Sequence, residues 1–188
     1  MSGVLFVLMR HAPTPWNEAG RLQGSADIGL SRRGKALAAR WRLPAPYDAW
    51  PRLASPLRRA RQTAALVQPA AAFAVERRLR EVCFGAWEGR LIVDLEGRRK
   101  RGRLAPGVEP PPQLKRRLRD WAAALARGGQ PAVAVAHKGV IRAMRRLARA
   151  QGSWRGNWRD DCLHVFSAES DGTVRLVQAN VPFLASAP

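Results

Sequence analysis

The chain alternates short, uninterrupted apolar runs with longer stretches of helical periodicity. The first run, Val4 to Met9, holds β-branched and aromatic residues and no polar one, the pattern of a strand covered on both faces. Pro131 to Ala136 (PAVAVA) reads the same way. Shorter strands are expected at Arg52 to Ala54 and near Ala72 to Val75. Helical patterns lie between them. Thr14 and Pro15 suit the cap and first position of a helical turn. Ser31 heads a helix with Leu37, Ala38 and Trp41 on its apolar face, ended by Pro44 and Pro46. Ser55-Pro56 is expected to cap and start the next, whose buried stripe is Leu57, Ala60, Ala64 and Val67. Leu114, Leu118, Trp121 and Leu125 mark another, stopped at Gly128-Gly129; Val140, Ile141, Met144 and Leu147 mark one more. Leu163 to Ser167 and Thr173 to Val177 read as strands joined by a turn at Asp171-Gly172. This alternation predicts an α/β fold of three layers, α/β/α, with a mostly parallel central sheet and an antiparallel edge strand.

One stretch resists the scheme. Trp87 to Pro112 lacks a clear period, carries a basic run from Arg98 to Arg103 and ends in Pro110-Pro111-Pro112. It reads as a lid-like insertion at about 87–112 within a single domain spanning 1–188. No apolar stretch approaches the ~20 residues of a membrane span. The first apolar run is too short for a signal peptide and lacks a basic start. A cytoplasmic protein with reduced Cys83 and Cys162 is therefore expected.

Charge adds a preference for anions. Lys and Arg total 33 against 14 Asp and Glu, a net charge of +19, and only four of the cations are lysines. Such a surface attracts polyanions without specificity and steers phosphorylated metabolites equally well. No nucleic-acid motif accompanies the charge, so nucleic acid is not the expected partner.

Both long apolar runs end in residues foreign to a core. Arg10-His11 follows the first, and His137 follows the second, at the strand ends where α/β folds bind ligands. His164 lies inside a strand pattern and is assigned a structural or surface role. Paired histidines also bind metals, but no compact His/Asp/Cys spacing completes a ligand set, and the arginines nearby disfavour a cation. No metal and no cofactor is expected. A guanidinium that grips two oxygens points to phosphate or carboxylate, and the helix start at Lys138-Gly139 is expected to add backbone donors for that anion. Phosphoryl transfer needs stabilised equatorial oxygens, an in-line nucleophile and an acid for the leaving oxygen. Arg10, Arg59 and His137 suit the first role, a neutral His11 the second and Glu81 the third.

Five segments in order, MRHAPTPWN, GRLQGSADIGLSRRG, SPLRRARQTA, LREVCFGAWEG and VAHKGVIRAM, resemble the histidine phosphatase superfamily, of phosphoglycerate mutase-like fold. The resemblance runs from Leu8 to Met144. It implies that His11 becomes phosphohistidine and that Arg10, Arg59 and His137 form the phosphate pocket. It selects Arg59 over Arg58 and Arg61 and gives Glu81 the acid/base role. Asn17 matches a position that contacts the transferred phosphate, and Gln23-Gly24 falls in the loop bordering the substrate. The chain departs from the family at Ala12-Pro13, where Gly-Glu is usual, and at Lys138, where glycine is usual and which here adds a charge. Gly107-Val108-Glu109-Pro110 replaces Gly-Gly-Glu-Ser and so lacks that serine.

These features favour a phosphomonoester hydrolase for a small phosphorylated metabolite, with α-ribazole phosphate or a broad range of esters as the substrates the resemblance suggests. A phosphoglycerate mutase-type phosphotransferase is the nearest alternative; such members carry longer insertions around the site. A non-catalytic phosphate- or polyanion-binding protein is the alternative of another class, but binding alone does not require both a nucleophile and an acid. The oligomeric state is not legible.

Overall fold

The computed structural model describes residues 3–95, 104–149 and 157–185. Strand β1 is Val4–Arg10, followed by a short helix α1, Pro15–Glu18, and by α2, Arg32–Arg40. Strands β2 (Trp41–Arg42) and β3 (Arg52–Ala54) precede α3, Arg58–Val67, and β4, Ala74–Val75. Helix α4 (Pro111–Gly128), β5 (Ala132–Ala136) and α5 (Lys138–Arg149) follow, then β6 (Leu163–Ala168), β7 (Val174–Val181) and β8 (Leu184–Ala185). Six strands form one sheet in the order β4-β3-β5-β1-β6-β7, while β2 and β8 pair separately. Strands β4, β3, β5 and β1 run parallel; β6 is antiparallel to β1, and β7 to β6. The expected antiparallel edge is thus two strands deep.

The uninterrupted apolar runs have a direct cause. Phe6 and Leu8 of β1 enter a core with Trp121 of α4 and Met144 of α5 on one face of the sheet. Val7 and Met9 enter another with Ala38 of α2 and Ala60 and Ala64 of α3. Strand β5 divides likewise, Ala134 and Ala136 to one face, Val133 and Val135 to the other. Alternate residues of a strand point to opposite faces, so a strand covered twice has no position for a polar side chain. Phe6 sits at the centre of the first core, edge-on to Trp121 at 5.0 Å and stacked on Phe166 at 5.3 Å.

Most expected elements form, and the exceptions have physical reasons. Thr14 caps α1 in a reciprocal box with Asn17, and Ser31 caps α2 through Gly34 N–H. Gly129, at φ 69°, ends α4 in the left-handed conformation. Trp41 does not belong to the helix face expected for it. It turns extended into β2 and stacks on Phe183 at 4.4 Å. Ser55-Pro56 does not start α3; the cap is Leu57, without a side-chain bond, and the helix begins at Arg58. Ser55 is still tied to the sheet, its N–H donating to Val135 O at 2.9 Å. His164 is buried, not at the surface.

The expected lid is described at its two ends. Trp87 packs with Leu22 and Leu95, and an isolated bridge joins Phe84 to Val108. The basic run, together with the rest of 96–103, lies outside the described residues. No helix among the described residues is long and apolar enough to cross a membrane.

Candidate active site

Three parallel strands end side by side, and each is followed by a polar side chain: His11 after β1, Ser55 after β3 and His137 after β5. The ladder continues one residue beyond the strands, since His11 N–H donates to Ala136 O at 3.0 Å and Ser55 N–H to Val135 O at 2.9 Å. These side chains therefore stand on backbone still tied into the sheet. The rings of His11 and His137 lie 5.2 Å apart, centre to centre.

His11 is buried, and its Nδ1 lies 2.8 Å from Ala12 O. A carbonyl oxygen only accepts, so Nδ1 carries the proton and Nε2 keeps its lone pair. Burial, then the charges of Arg59 and Arg10, hold the imidazole pKa well below its ordinary value. His11 is thus neutral at physiological pH, in one tautomer. Ala12 fixes the loop, its N–H donating to Thr63 Oγ1 of α3 at 3.0 Å.

The same helix delivers Arg59. Its guanidinium is almost wholly buried and donates to Gly24 O and Ala26 O, both at 2.7 Å. Burial lowers its pKa to about 10, which leaves it cationic at neutral pH. Arg58 and Arg61, its neighbours in sequence, are exposed. Three buried nitrogens around this cluster have no hydrogen-bond partner: Arg10 Nε, Arg59 Nε and His137 Nδ1. Unpaired buried polar atoms are expensive, so a site that collects three is suited to a ligand rich in oxygen acceptors. His137 is held from its other side, where Nε2 meets Ser55 Oγ at 2.7 Å. Burial, with His11 and Arg59 nearby, keeps His137 neutral as well.

Glu81 is buried beside α5. Its Oε1 accepts from Val82 N–H at 2.9 Å and its Oε2 from Gly139 N–H at 3.0 Å. Burial raises its pKa, against those two bonds and the charges of Arg59 and Arg10. The start of α5 therefore serves the carboxyl group. The expected use of Gly139 N–H as a donor to the bound anion is corrected accordingly. Gly139 is needed there, because a Cβ would lie 2.3 Å from Glu81 Oε1.

The remaining expected residues are held by contacts of their own. Asn17 Oδ1 accepts from Thr14 N–H at 3.1 Å, and Thr14 Oγ1 donates to Gln23 Oε1 at 2.9 Å, so Asn17 and Gln23 meet at Thr14. Gly24 touches Arg59 through its carbonyl. Its φ of 55° and a prospective Cβ only 2.2 Å from Glu88 Oε1 exclude a side chain. Lys138 Nζ lies 2.5 Å from Asp160 Oδ2, the same oxygen that accepts from Arg10 at 2.8 Å.

Sequence reasoning misses four participants. Ser55 is visible only as a cap signal, and so is Thr14. Glu88 gathers Ser25 N–H (2.7 Å), Ser25 Oγ (2.9 Å) and Phe84 N–H (2.9 Å), and Gly89 behind it is the only local cue. Asp160 gives no signal, standing 150 residues from Arg10. Among the described residues, no group of three His, Cys, Asp or Glu side chains could hold a metal ion.

Known proteins share both the sequence and this architecture. A probable 2-carboxy-D-arabinitol-1-phosphatase of Arabidopsis thaliana is 30% identical over 78% of this chain and 33% of its own length. Phosphoserine phosphatase 1 of Hydrogenobacter thermophilus is 36% identical over 49% of this chain and 45% of its own. The chain thus spans a third to a half of the length of these two relatives. A crystal structure of TTHB049 from Thermus thermophilus superposes with a TM-score of 0.73 at 31% identity, covering 95% of this chain and 99% of that one. Residues 6–180 match the model of the histidine phosphatase superfamily (branch 1), and the chain belongs to that family.

Proposed function

We propose that the protein is a phosphomonoester hydrolase that works through a phosphohistidine on His11. The observation that carries this reading is the state of His11: buried, neutral and pinned at Nδ1, so that Nε2 is presented as a nucleophile among cations. The named relatives are phosphatases, which supports the same class.

In the first step the lone pair of His11 Nε2 forms a bond to phosphorus while the ester P–O bond breaks. Arg10 and Arg59 balance the charge on the non-bridging oxygens, and neutral His137 donates a hydrogen bond to one of them from Nδ1. Glu81, its pKa raised by burial, gives a proton to the departing oxygen, and the alcohol leaves. The imidazole, now bonded at Nε2, keeps its Nδ1 proton on Ala12 O. In the second step water attacks phosphorus, the Glu81 carboxylate takes its proton, and the P–N bond breaks to release inorganic phosphate. Unaided phosphomonoester hydrolysis is slow enough that more than ~20 kcal/mol of barrier must be removed. Preorganised cations, Arg10 at the end of β1 and Arg59 on α3, supply that stabilisation without reorganisation during the reaction.

The substrate is a small phosphorylated metabolite. Asn17, Gln23, Gly24 and Lys138 border it, and Ala12-Pro13 and Lys138 shape what enters. The reading places the protein in the cytoplasm, where free Cys83 and Cys162 stay reduced. The test is turnover of p-nitrophenyl phosphate by purified protein and its His11→Ala variant. Release of phosphate by the first and none by the second is expected. Equal rates from both would remove His11 from the nucleophile role.

A further inference from the structure

A cavity of about 150 Å³ opens beside the phosphate site, between α5 and residues 157–160. Its wall carries Lys138, Arg142, Arg145 and Arg159 against one carboxylate, Asp160. Lys138, Arg142 and Arg145 follow one another at intervals of four and three, so they share one face of α5. His164, which also lines the cavity, adds no charge. Its Nε2–H donates to Arg159 O at 3.0 Å and its Nδ1 accepts from Asn180 N–H at 3.4 Å, which fixes the neutral ring.

Two features distinguish this wall from an ordinary solvated basic face. Arg145 lies over the Trp158 ring at 5.1 Å, and its Nε is buried with no hydrogen-bond partner. Lys138 on the wall and Arg10 beside it already converge on one carboxylate oxygen, Asp160 Oδ2, at 2.5 and 2.8 Å. A carboxylate is therefore bound where the cavity joins the phosphate site, while Arg142 and Arg145 stand further along the same wall. Concave walls of one sign focus the field on whatever enters, and guanidinium forks favour oxyanions. The volume suits one small group and not a nucleic-acid backbone; a cavity of similar size admits a molecule as large as benzene.

We infer that this cavity is a second anion subsite, which takes a carboxylate or second phosphate carried on the leaving group, so that the substrates are phosphomonoesters bearing a second acidic group. This rests on the phosphatase reading for the position of the first phosphate. Arg142 and Arg145 are the specificity-determining residues, and Arg10 with Lys138 joins the two subsites.

Phosphonates test this without turnover, because their P–C bond is not hydrolysed. Calorimetric affinities are compared for methyl-, ethyl- and propylphosphonate and for phosphonoacetate, phosphonopropionate and phosphonobutyrate. At least one acid of the series is expected to bind about tenfold tighter than its alkyl counterpart. The double variant Arg142→Gln/Arg145→Gln should lose that advantage while binding the alkyl phosphonates within about twofold of the parent. Arg146→Gln, an exposed change on the same helix but outside the cavity, should keep it, which separates a local contact from bulk charge. Far-UV circular dichroism confirms that each variant is folded. Equal binding across both series, or equal losses in the double variant and Arg146→Gln, would overturn the subsite. Turnover of p-nitrophenyl phosphate without acid preference would sink the subsite alone. Selective acid binding without turnover would sink the phosphatase reading alone.

Discussion

Gly139→Ala is a one-carbon perturbation aimed at the acid. The new Cβ would lie 2.3 Å from Glu81 Oε1, 2.9 Å from Val82 Cγ2 and 3.0 Å from Glu81 Cδ. Ordinary contact starts near 3.4 Å, so the carboxyl must retreat by about 1 Å. That retreat takes Oε2 off Gly139 N–H, 3.0 Å away in the parent, and displaces the carboxyl proposed to protonate the leaving oxygen. A displacement of ~1 Å in a catalytic group commonly lowers a rate by about 10²-fold. Crowding a packed site costs about 1–3 kcal/mol, and the better helix propensity of alanine offsets up to ~1 kcal/mol of it. The net loss of ~0–3 kcal/mol is a fall in Tm of at most about 12 °C for a chain of this size. The assay is a kcat comparison of an alkyl phosphate, whose leaving group needs a proton, with p-nitrophenyl phosphate, whose leaving group does not. The alkyl ester should slow by about 10²-fold and the aryl ester by less than tenfold, in folded protein. Undiminished alkyl phosphate turnover would refute the placement of Glu81 as the proton donor. Equal losses on both esters would show that the methyl group disturbs the phosphate pocket instead.

Three further outcomes are expected. Asp160→Asn weakens the acceptor shared by Arg10 and Lys138, so inorganic phosphate should inhibit more tightly by several-fold, modest because Asp160 is 41% exposed and its pairs are screened; unchanged inhibition would show that Asp160 does not compete with the anion. The pH profile should place its alkaline limb at Glu81, whose pKa is raised by burial. Activity on an alkyl ester then falls as pH rises through that value, while His11, depressed, stays neutral well into acid. Glu81→Gln should remove the limb, and its persistence would assign the limb elsewhere. Burial lowers the His164 pKa to about 4, from 6.5 unfolded. Its contribution to stability is therefore complete above pH 6.5 and lost as pH falls through about 4, at most on the order of 3 kcal/mol. His164→Gln should flatten the loss of urea stability over that interval, and an identical slope would show that His164 does not carry it.

Much of the site is legible because its main residues interrupt strong patterns. Arg10, His11 and His137 end apolar runs that a doubly covered strand alone explains, and the α3 stripe leaves Arg59 to be chosen by resemblance. What fails depends on partners distant in sequence. Ser55-Pro56 carries a local cap signal, yet the Ser55 N–H is committed to β5, and its hydroxyl meets a histidine 82 residues away. Gly139 reads as a phosphate donor because a helix start attracts any anion. The acceptor it meets is the carboxyl oxygen of Glu81, 58 residues earlier. Trp41 has the spacing of a helix face but pairs through β2 with a strand near residue 185.

A phosphohistidine on His11 can be trapped directly. Protein mixed with ³²P-labelled phosphomonoester is quenched within milliseconds in alkaline denaturant, digested and mapped by mass spectrometry. Label on His11 is expected in the parent chain and in Glu81→Gln, with none in His11→Ala. Turnover with no labelled histidine, or with the label on another residue, would contradict it.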